Sequence, residues 1–139
     1  MATAAGLPGT YKAWLSDSTS SPSSRFVPST GPYRLVNGTT IAANWTDLTD
    51  GTLAAPINVT ETGGGTGDVT YVWTNTDPDG TARNVPSDAS KGHCTNWSTN
   101  SSPASDGIGG SAGSRTTSWT ALVIAPCDYR YHLYCFQQR

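Results

Sequence analysis

The sequence predicts one small α+β domain in which short strands and turns outnumber short helices. The first supporting observation is the composition: Ser, Thr, Asn and Gly are abundant and only 13% of residues are charged, a mixture poor in helix formers. The second is the pattern of short apolar runs between turn residues, clearest in the predicted strand 69–74 and the closing stretch 119–136. At 139 residues the chain is long enough for a single domain, residues 1–139, with its own core.

Helical elements are predicted at the start of the chain and near residue 45. Residues 2–5 have the small side chains of a helix tail that ends at Gly6, because glycine commonly follows a helix C-terminus. Residues 10–17 are predicted to form a second short helix, since the larger apolar residues are spaced i, i+3 and i+4: Tyr11, Trp14 and Leu15. A helical turn is predicted at residues 45–48, and a polar loop at residues 18–24.

Turn residues predict how the strands in the first half are connected. Asn37-Gly38 follows an apolar run and is a strong hairpin signal. Residues 56–60 have the composition of another strand. The run 77–80, Asp-Pro-Asp-Gly, predicts a turn directly after strand 69–74.

The C-terminal half is predicted to be a long loop followed by a closing hairpin. Residues 84–118 are mostly polar, and the run 98–114 is too polar to pack as core, so we expect an exposed loop there. The hairpin is predicted to turn at Pro126 and Asp128. Its apolar faces would come from Ala121, Val123, Leu133 and Phe136. The tryptophans are predicted to pack as core or to hold the loop ends: Trp14, Trp45, Trp73, Trp97 and Trp119.

The cysteine count predicts structural disulfide chemistry. There are three cysteines, and none lies in a C-x-x-C pair, so zinc and thioredoxin-type sites are not indicated. We expect one disulfide and one unpaired cysteine. Cys127 and Cys135 are eight residues apart on the two arms of the predicted hairpin, so each arm would be tied to a different earlier part of the chain.

No catalytic, metal or cofactor site is predicted. His93 and His132 lack a Ser/His/Asp signature, and we assign them structural or surface roles. The run from Asn75 to Gly80 imitates the start of a calcium loop, but Pro86 stands where the closing acidic residue is needed. The net charge of −2 gives no nucleic-acid footprint, and no apolar run approaches the length of a membrane span.

Several motifs, taken in order, resemble those of a known family. They are Thr10-Tyr-Lys-Ala-Trp-Leu-Ser, Asn44-Trp-Thr-Asp-Leu48, Val72-Trp73 before Asp77-Pro-Asp-Gly80, Cys94-x-x-Trp97, and Cys127 with Cys135-Phe136. This order resembles endostatin and, more closely, the bacterial endostatin-like domains of leptospiral surface proteins, which have a C-type-lectin-like fold. The resemblance implies two short helices on a twisted, mainly antiparallel sheet, a long loop region, and terminal strands that come together.

The same resemblance implies a disulfide pairing. Cys127 would pair with Cys94, and Cys135 would be left unpaired because its family partner lies on an upstream helix. We therefore expect the chain to be a C-terminal fragment of a longer surface protein. The sugar-binding motifs of calcium-dependent C-type lectins do not occur, and the eight basic residues are spread along the chain, which argues against a heparin-like role.

The predicted function is non-enzymatic recognition outside the cell. We expect an adhesion domain on a bacterial surface that binds a protein or glycan of another cell or matrix. A related hypothesis places the domain at the tip of a homotrimeric fibre. Binding is predicted in the loop 84–118 and the hairpin tip, through Trp97, Asn100, Arg115, Tyr129, Arg130 and Tyr131. Deleting residues 101–113 is expected to leave folding intact and abolish binding. The alternative is a formylglycine-generating-enzyme-like oxidase that uses a cysteine pair.

Overall fold

The structure, a computed structural model, describes residues 2–67, 70–83, 92–101 and 105–138, and it confirms the α+β class. Within those residues, short strands form three small antiparallel sheets and each helix is a single turn. In chain order the elements are β1 (Thr10–Ala13), α1 (Pro22–Arg25), β2 (Tyr33–Arg34), β3 (Thr40–Ala42), α2 (Trp45–Leu48), β4 (Tyr71–Trp73), α3 (Cys94–Trp97), β5 (Asp106–Ser111), a 3₁₀ turn (Thr117–Trp119), β6 (Val123–Pro126) and β7 (Cys135–Gln138).

Local turn signals predicted three features correctly. β2 and β3 pair antiparallel on either side of Asn37-Gly38, where Gly38 has a φ of +89°. α2 begins after Asn44, whose side chain accepts the Asp47 N–H as an N-cap. The turn 77–80 closes with a 2.9 Å bond from the Gly80 N–H to the Asp77 carbonyl. These features depend on neighbouring residues only, so the sequence suffices to predict them.

The start of the chain differs from the prediction. Residues 10–13 form strand β1, not a helix, and β1 pairs antiparallel with β7 so that Tyr11 lies opposite Gln137. The helical spacing of three apolar residues was misleading, because pairing with a strand more than 120 residues away overrides a weak local preference. Residues 2–5 form turns and not a regular helix, although Gly6 does have the positive φ of a helix end. Residues 22–24, which lie in the predicted loop 18–24, belong to α1.

The predicted closing hairpin is also wrong. β6 pairs with β5 and β7 pairs with β1, so the two arms belong to different sheets. Leu133, which we expected to supply an apolar face, is 38% exposed. Residues 56–60 likewise form no strand and contribute only an isolated bridge between Val59 and Gly65. The pairing of β1 with β7 does bring the terminal strands together, as the resemblance implied.

The largest correction concerns the run 98–114, which is not simply an exposed loop. Its second half is β5, the central strand of the sheet β4-β5-β6, and Ile108 is buried within it. Glycines make this possible, because a Cβ on Gly110 would overlap the Trp119 carbonyl group and one on Gly107 would lie 2.6 Å from the Trp73 ring. The low apolar content of β5 therefore reflects close packing. Deletion of residues 101–113 would remove this strand, so the expectation that folding survives it is wrong.

The core is built around Trp14, which is fully buried. Its ring contacts four other aromatic rings at centroid distances of 4.9–6.0 Å, those of Phe26, Trp45, Trp119 and Phe136. These rings come from separate segments, so Trp14 joins the sheet β1-β7, α2 and the 3₁₀ turn. Its indole N–H donates to Thr120 Oγ1 at 2.8 Å.

Candidate functional site

Five aromatic side chains form one continuous cluster, which we call the aromatic surface: Tyr71, Trp73, Trp97, Tyr129 and Tyr131. Tyr131 lies at its centre, with its ring centroid 4.4 Å from Trp73, 5.4 Å from Tyr71 and 6.0 Å from Tyr129. Trp97 extends the cluster beyond Trp73, at 5.8 Å. Tyr129 is 54% exposed, Trp73 is buried and the other three are partly exposed. The cluster therefore presents ring area to solvent over a buried base.

Backbone pairing determines where these rings lie. Val72 and His132 form a parallel bridge, in which Trp73 donates its N–H to the His132 carbonyl at 3.0 Å and His132 donates its own to the Tyr71 carbonyl at 3.1 Å. Because side chains alternate along extended backbone, Tyr71 and Trp73 project to the same side as Tyr131. Aromatic pairs at such distances contribute about 0.5–1.5 kcal/mol each beyond area burial. The rings are thus held in a fixed arrangement.

Burial and neighbouring phenol groups raise the pKa of the central tyrosine of the aromatic surface. Desolvation by burial raises the pKa of Tyr131, and the neighbouring Tyr71 and Tyr129 raise it further. A phenol with a raised pKa stays protonated at physiological pH, so it can donate one hydrogen bond and accept others. The surface therefore combines ring faces with neutral hydroxyl groups.

The turn that carries Trp97 has a backbone conformation that is rare for residues with a Cβ. All four residues of α3 have positive φ values between +47° and +60°, so the turn winds left-handed. This conformation costs roughly 1–2 kcal/mol for each L-residue. His93 closes the turn, because its Nδ1 accepts the Asn96 N–H at 2.8 Å and its carbonyl accepts the Trp97 N–H at 2.6 Å.

Contacts with distant segments hold α3 in place. Cys94 is bonded to Cys127, with a Cα–Cα distance of 5.7 Å, which is the pairing that the resemblance implied. The Trp97 indole N–H donates to the Ser16 carbonyl at 2.9 Å, and the Ser18 N–H donates to Asn96 Oδ1 at 2.9 Å. Strained backbone persists only where its surroundings determine it, and such strain concentrates at functional sites. The strain in α3 therefore marks this corner of the molecule as a candidate site.

Replacing Thr95 with glycine is expected to raise the free energy of unfolding by roughly 0.5–1 kcal/mol. The Thr95 side chain is exposed, and glycine adopts a φ of +54° without steric cost, which outweighs its larger entropy loss on folding. Urea unfolding measures the change. The matched control is Thr116→Gly, because Thr116 is exposed at a φ of −94°, where glycine relieves no steric strain. The same substitution should therefore lower the free energy of unfolding at this position. Destabilisation of both variants would show that α3 is not strained.

Cys135 is the unpaired cysteine among the described residues, as expected. It is exposed and lines a groove of about 500 Å³ between β7, the β2–β3 hairpin and residues 57–66. The groove wall includes Tyr11, Tyr33 and Leu133. Desolvation raises the pKa of Cys135, and the nearby Glu61 carboxylate raises it further. That its partner lies upstream stays a prediction.

The Cys135 thiol is expected to be alkylated more slowly in the folded protein than in urea, and its pH–rate profile should be displaced to higher pH. The raised pKa means that folding favours the neutral thiol. Its contribution to stability is therefore present below the unfolded-state pKa and lost as pH rises through the folded-state pKa. Iodoacetamide labelling across mildly alkaline pH measures both profiles. Coincident profiles, or a lower midpoint for the folded protein, would contradict the prediction.

The predicted binding residues do not all lie together. The structure brings Trp97, Tyr129 and Tyr131 into one cluster. Arg130 is exposed between the two tyrosines, and Asn100 is exposed three residues beyond α3. Arg115 lies against a different segment, where its carbonyl accepts the Leu53 N–H at 2.8 Å and its guanidinium donates to the Ala54 carbonyl. Residues 84–91 of the predicted binding loop lie outside the described residues, as do 102–104.

The acidic residues of the calcium-like run 75–80 have other partners. Asp77 forms an ion pair with Arg83 at 3.0 Å, and Asp79 accepts hydrogen bonds from the backbone and hydroxyl of Thr81. Pro86 lies outside the described residues. Within the ranges that the structure covers, no group of three or more His, Cys, Asp and Glu side chains could hold a metal ion.

Two members of the aromatic surface were missed as site residues, Tyr71 and Trp73. The sequence carried a signal for them, since residues i and i+2 of a strand share a face and Tyr129 and Tyr131 have the same spacing. The sequence does not reveal the bridge between Val72 and His132, which are 60 residues apart in the chain. This bridge sets the Tyr71–Trp73 pair beside the Tyr129–Tyr131 pair.

The fold and this site together define a small disulfide-bonded α+β domain with an exposed aromatic cluster beside its disulfide. Comparison with protein-family models finds no match, and comparison with curated proteins finds no significant similarity. In the part of the chain that the structure describes, no helix has the length and apolar character needed to cross a membrane.

Proposed function

We propose that this chain is a non-enzymatic extracellular binding domain, which uses the aromatic surface to attach to a protein or glycan on another cell or in matrix. The observation that carries the proposal is the aromatic surface itself. Tyrosine and tryptophan are the usual anchors of binding sites, since they offer large contact area at low entropic cost. Their placement beside a strained, disulfide-bonded turn supports a role in recognition, because an uninvolved surface has no need of such strain.

The disulfide supports both the extracellular location and the non-enzymatic role in this proposal. A disulfide is typical of proteins that fold in an oxidising compartment, which favours a position outside the cell. Cys94 and Cys127 are 3% and 6% exposed and are bonded to each other, which favours a structural role over that of a reactive pair in an oxidase. The resemblance to bacterial endostatin-like domains favours a bacterial surface protein with a C-type-lectin-like fold, and a place at the tip of a trimeric fibre belongs to the same proposal.

Replacing Tyr129 and Tyr131 with alanine together is expected to weaken attachment to target cells by roughly 30-fold, the loss typical of binding hot spots. The assay measures binding of the purified domain to cultured mammalian cells and to immobilised matrix proteins. Circular dichroism and urea unfolding establish that the variant is folded.

The matched control is Val27→Ala. Val27 is 55% exposed, close to the 54% of Tyr129, and it lies outside the aromatic surface. The control should bind like the unmodified domain. Equal binding by the control and the double variant would remove the aromatic surface from the function, and failure of the unmodified domain to bind any of these targets would remove the function itself.

A further inference from the structure

The size of the aromatic surface limits the kind of ligand that it fits. A stable protein–protein interface uses about 20–30 residues a side. Here one ring is more than half exposed, that of Tyr129, while Tyr71, Tyr131 and Trp97 are partly buried and Trp73 is buried. The accessible ring area therefore suits a ligand of one or two rings.

The arrangement of the rings limits the ligand further. The ring of Tyr131 is inclined by 36° to that of Trp73 and by 39° to that of Tyr71, at centroid distances of 4.4 and 5.4 Å. The exposed ring of Tyr129 is inclined by 74° to that of Tyr131. Rings so close fill the space between them, so they do not enclose a cation as an aromatic cage does. They form a ledge with a steep step between Tyr129 and Tyr131, so a flat apolar face can lie on one ring while its edge meets the other.

The charge near the ledge is balanced. Asp128 and Arg130 flank Tyr129 in the chain, are both exposed and have opposite signs. The whole chain has 8 Lys and Arg against 10 Asp and Glu, so an anionic ligand gains no general attraction. A carboxylate, a guanidinium and neutral phenols are together well suited to hydroxyl groups, which donate and accept hydrogen bonds.

We propose, resting on the function above, that the ligand of the aromatic surface is an uncharged pyranose of a surface glycan. The C–H face of the sugar stacks on Tyr129 and its edge meets Tyr131, whose ring is inclined by 74° to that of Tyr129, while Asp128 and Arg130 bond its hydroxyl groups. A pyranose matches the ledge because one of its faces is apolar while its rim is polar. Contact of this kind uses no metal ion.

Affinity electrophoresis tests the inference. The intact domain is run through native gels containing a neutral polysaccharide, namely mannan, dextran, a β-1,3-glucan or a galactan, each with and without EDTA. Retardation by at least one polymer is expected. The apparent dissociation constant should rise roughly ten-fold in Tyr129→Ala and more in the double variant with Tyr131→Ala, and stay unchanged in Val27→Ala. Heparin is run as the anionic comparison.

Three outcomes would overturn the inference: no retardation by any neutral polymer, retardation by heparin alone, or retardation that EDTA abolishes. Periodate treatment of the target cells separates this result from the function itself. If cell binding survives periodate but is lost after protease treatment of the cells, the ligand is a protein, so the glycan inference fails while the binding function stands. If the domain binds neither cells nor polymers, both fail.

Discussion

Replacing Gly110 with alanine is expected to lower the free energy of unfolding by about 3 kcal/mol or more, a large part of the stability of an ordinary domain. A Cβ at this position would overlap the carbonyl group of Trp119 and crowd the Cα of Thr120. Those atoms are backbone and cannot swing aside as a flexible side chain can. The central strand would have to separate from the segment that follows the 3₁₀ turn, and urea unfolding measures the loss.

The matched control for this prediction is Gly65→Ala. A Cβ on Gly65 has no heavy atom within 4 Å, and Gly65 does not have a positive φ. This variant should have nearly the same unfolding midpoint as the unmodified protein. A Gly110→Ala variant as stable as Gly65→Ala would show that β5 does not pack against residues 119 and 120 as described.

Replacing Trp14 with alanine is expected to cost about 3–5 kcal/mol, the range for truncating a large buried aromatic residue. Trp14 is fully buried and contacts four other aromatic rings, so its removal leaves a cavity that several separate segments would have to close. It also leaves the Thr120 hydroxyl without its indole donor. Calorimetry should show a much lower melting temperature.

A second variant separates the packing of Trp14 from its hydrogen bond. Thr120→Val removes the acceptor of the indole N–H and the 2.9 Å bond to the Thr76 carbonyl, but leaves every ring in place. Loss of buried hydrogen bonds costs about 1–3 kcal/mol, less than loss of the ring. If Thr120→Val were as damaging as Trp14→Ala, the polar contacts would dominate this part of the core.

Sequence predictions were correct for elements that nearby residues determine and wrong for elements that depend on partners far away in the chain. The hairpin at Asn37-Gly38, the turn 77–80 and α2 were predicted correctly, because φ preferences and capping act within a few residues. β1 and the two arms of residues 119–136 were predicted wrongly. Their conformation depends on partners far away in the chain, which hydrophobic spacing does not reveal.

The candidate site was predicted in part for the same reason. Tyr129 and Tyr131 were predicted as binding residues of the hairpin tip and Trp97 as one of the long loop, whereas Tyr71 and Trp73 were assigned to a strand and the core. The parallel bridge at Val72 unites them. The left-handed winding of α3 could not be foreseen, because only Asn96 among its four residues has a raised preference for positive φ.

The sequence by itself determined the α+β class, the turns and the presence of one disulfide with one cysteine left over. These follow from composition, local backbone preferences and an odd cysteine count. Only the tertiary structure decided that the glycine-rich run 106–111 is the central strand, that the terminal strands pair, and that five aromatic rings meet beside Cys94 and Cys127. The physical reason is that close packing needs small residues where backbones approach. A buried strand rich in glycine therefore has the same composition as a loop, and only its packing partners distinguish the two.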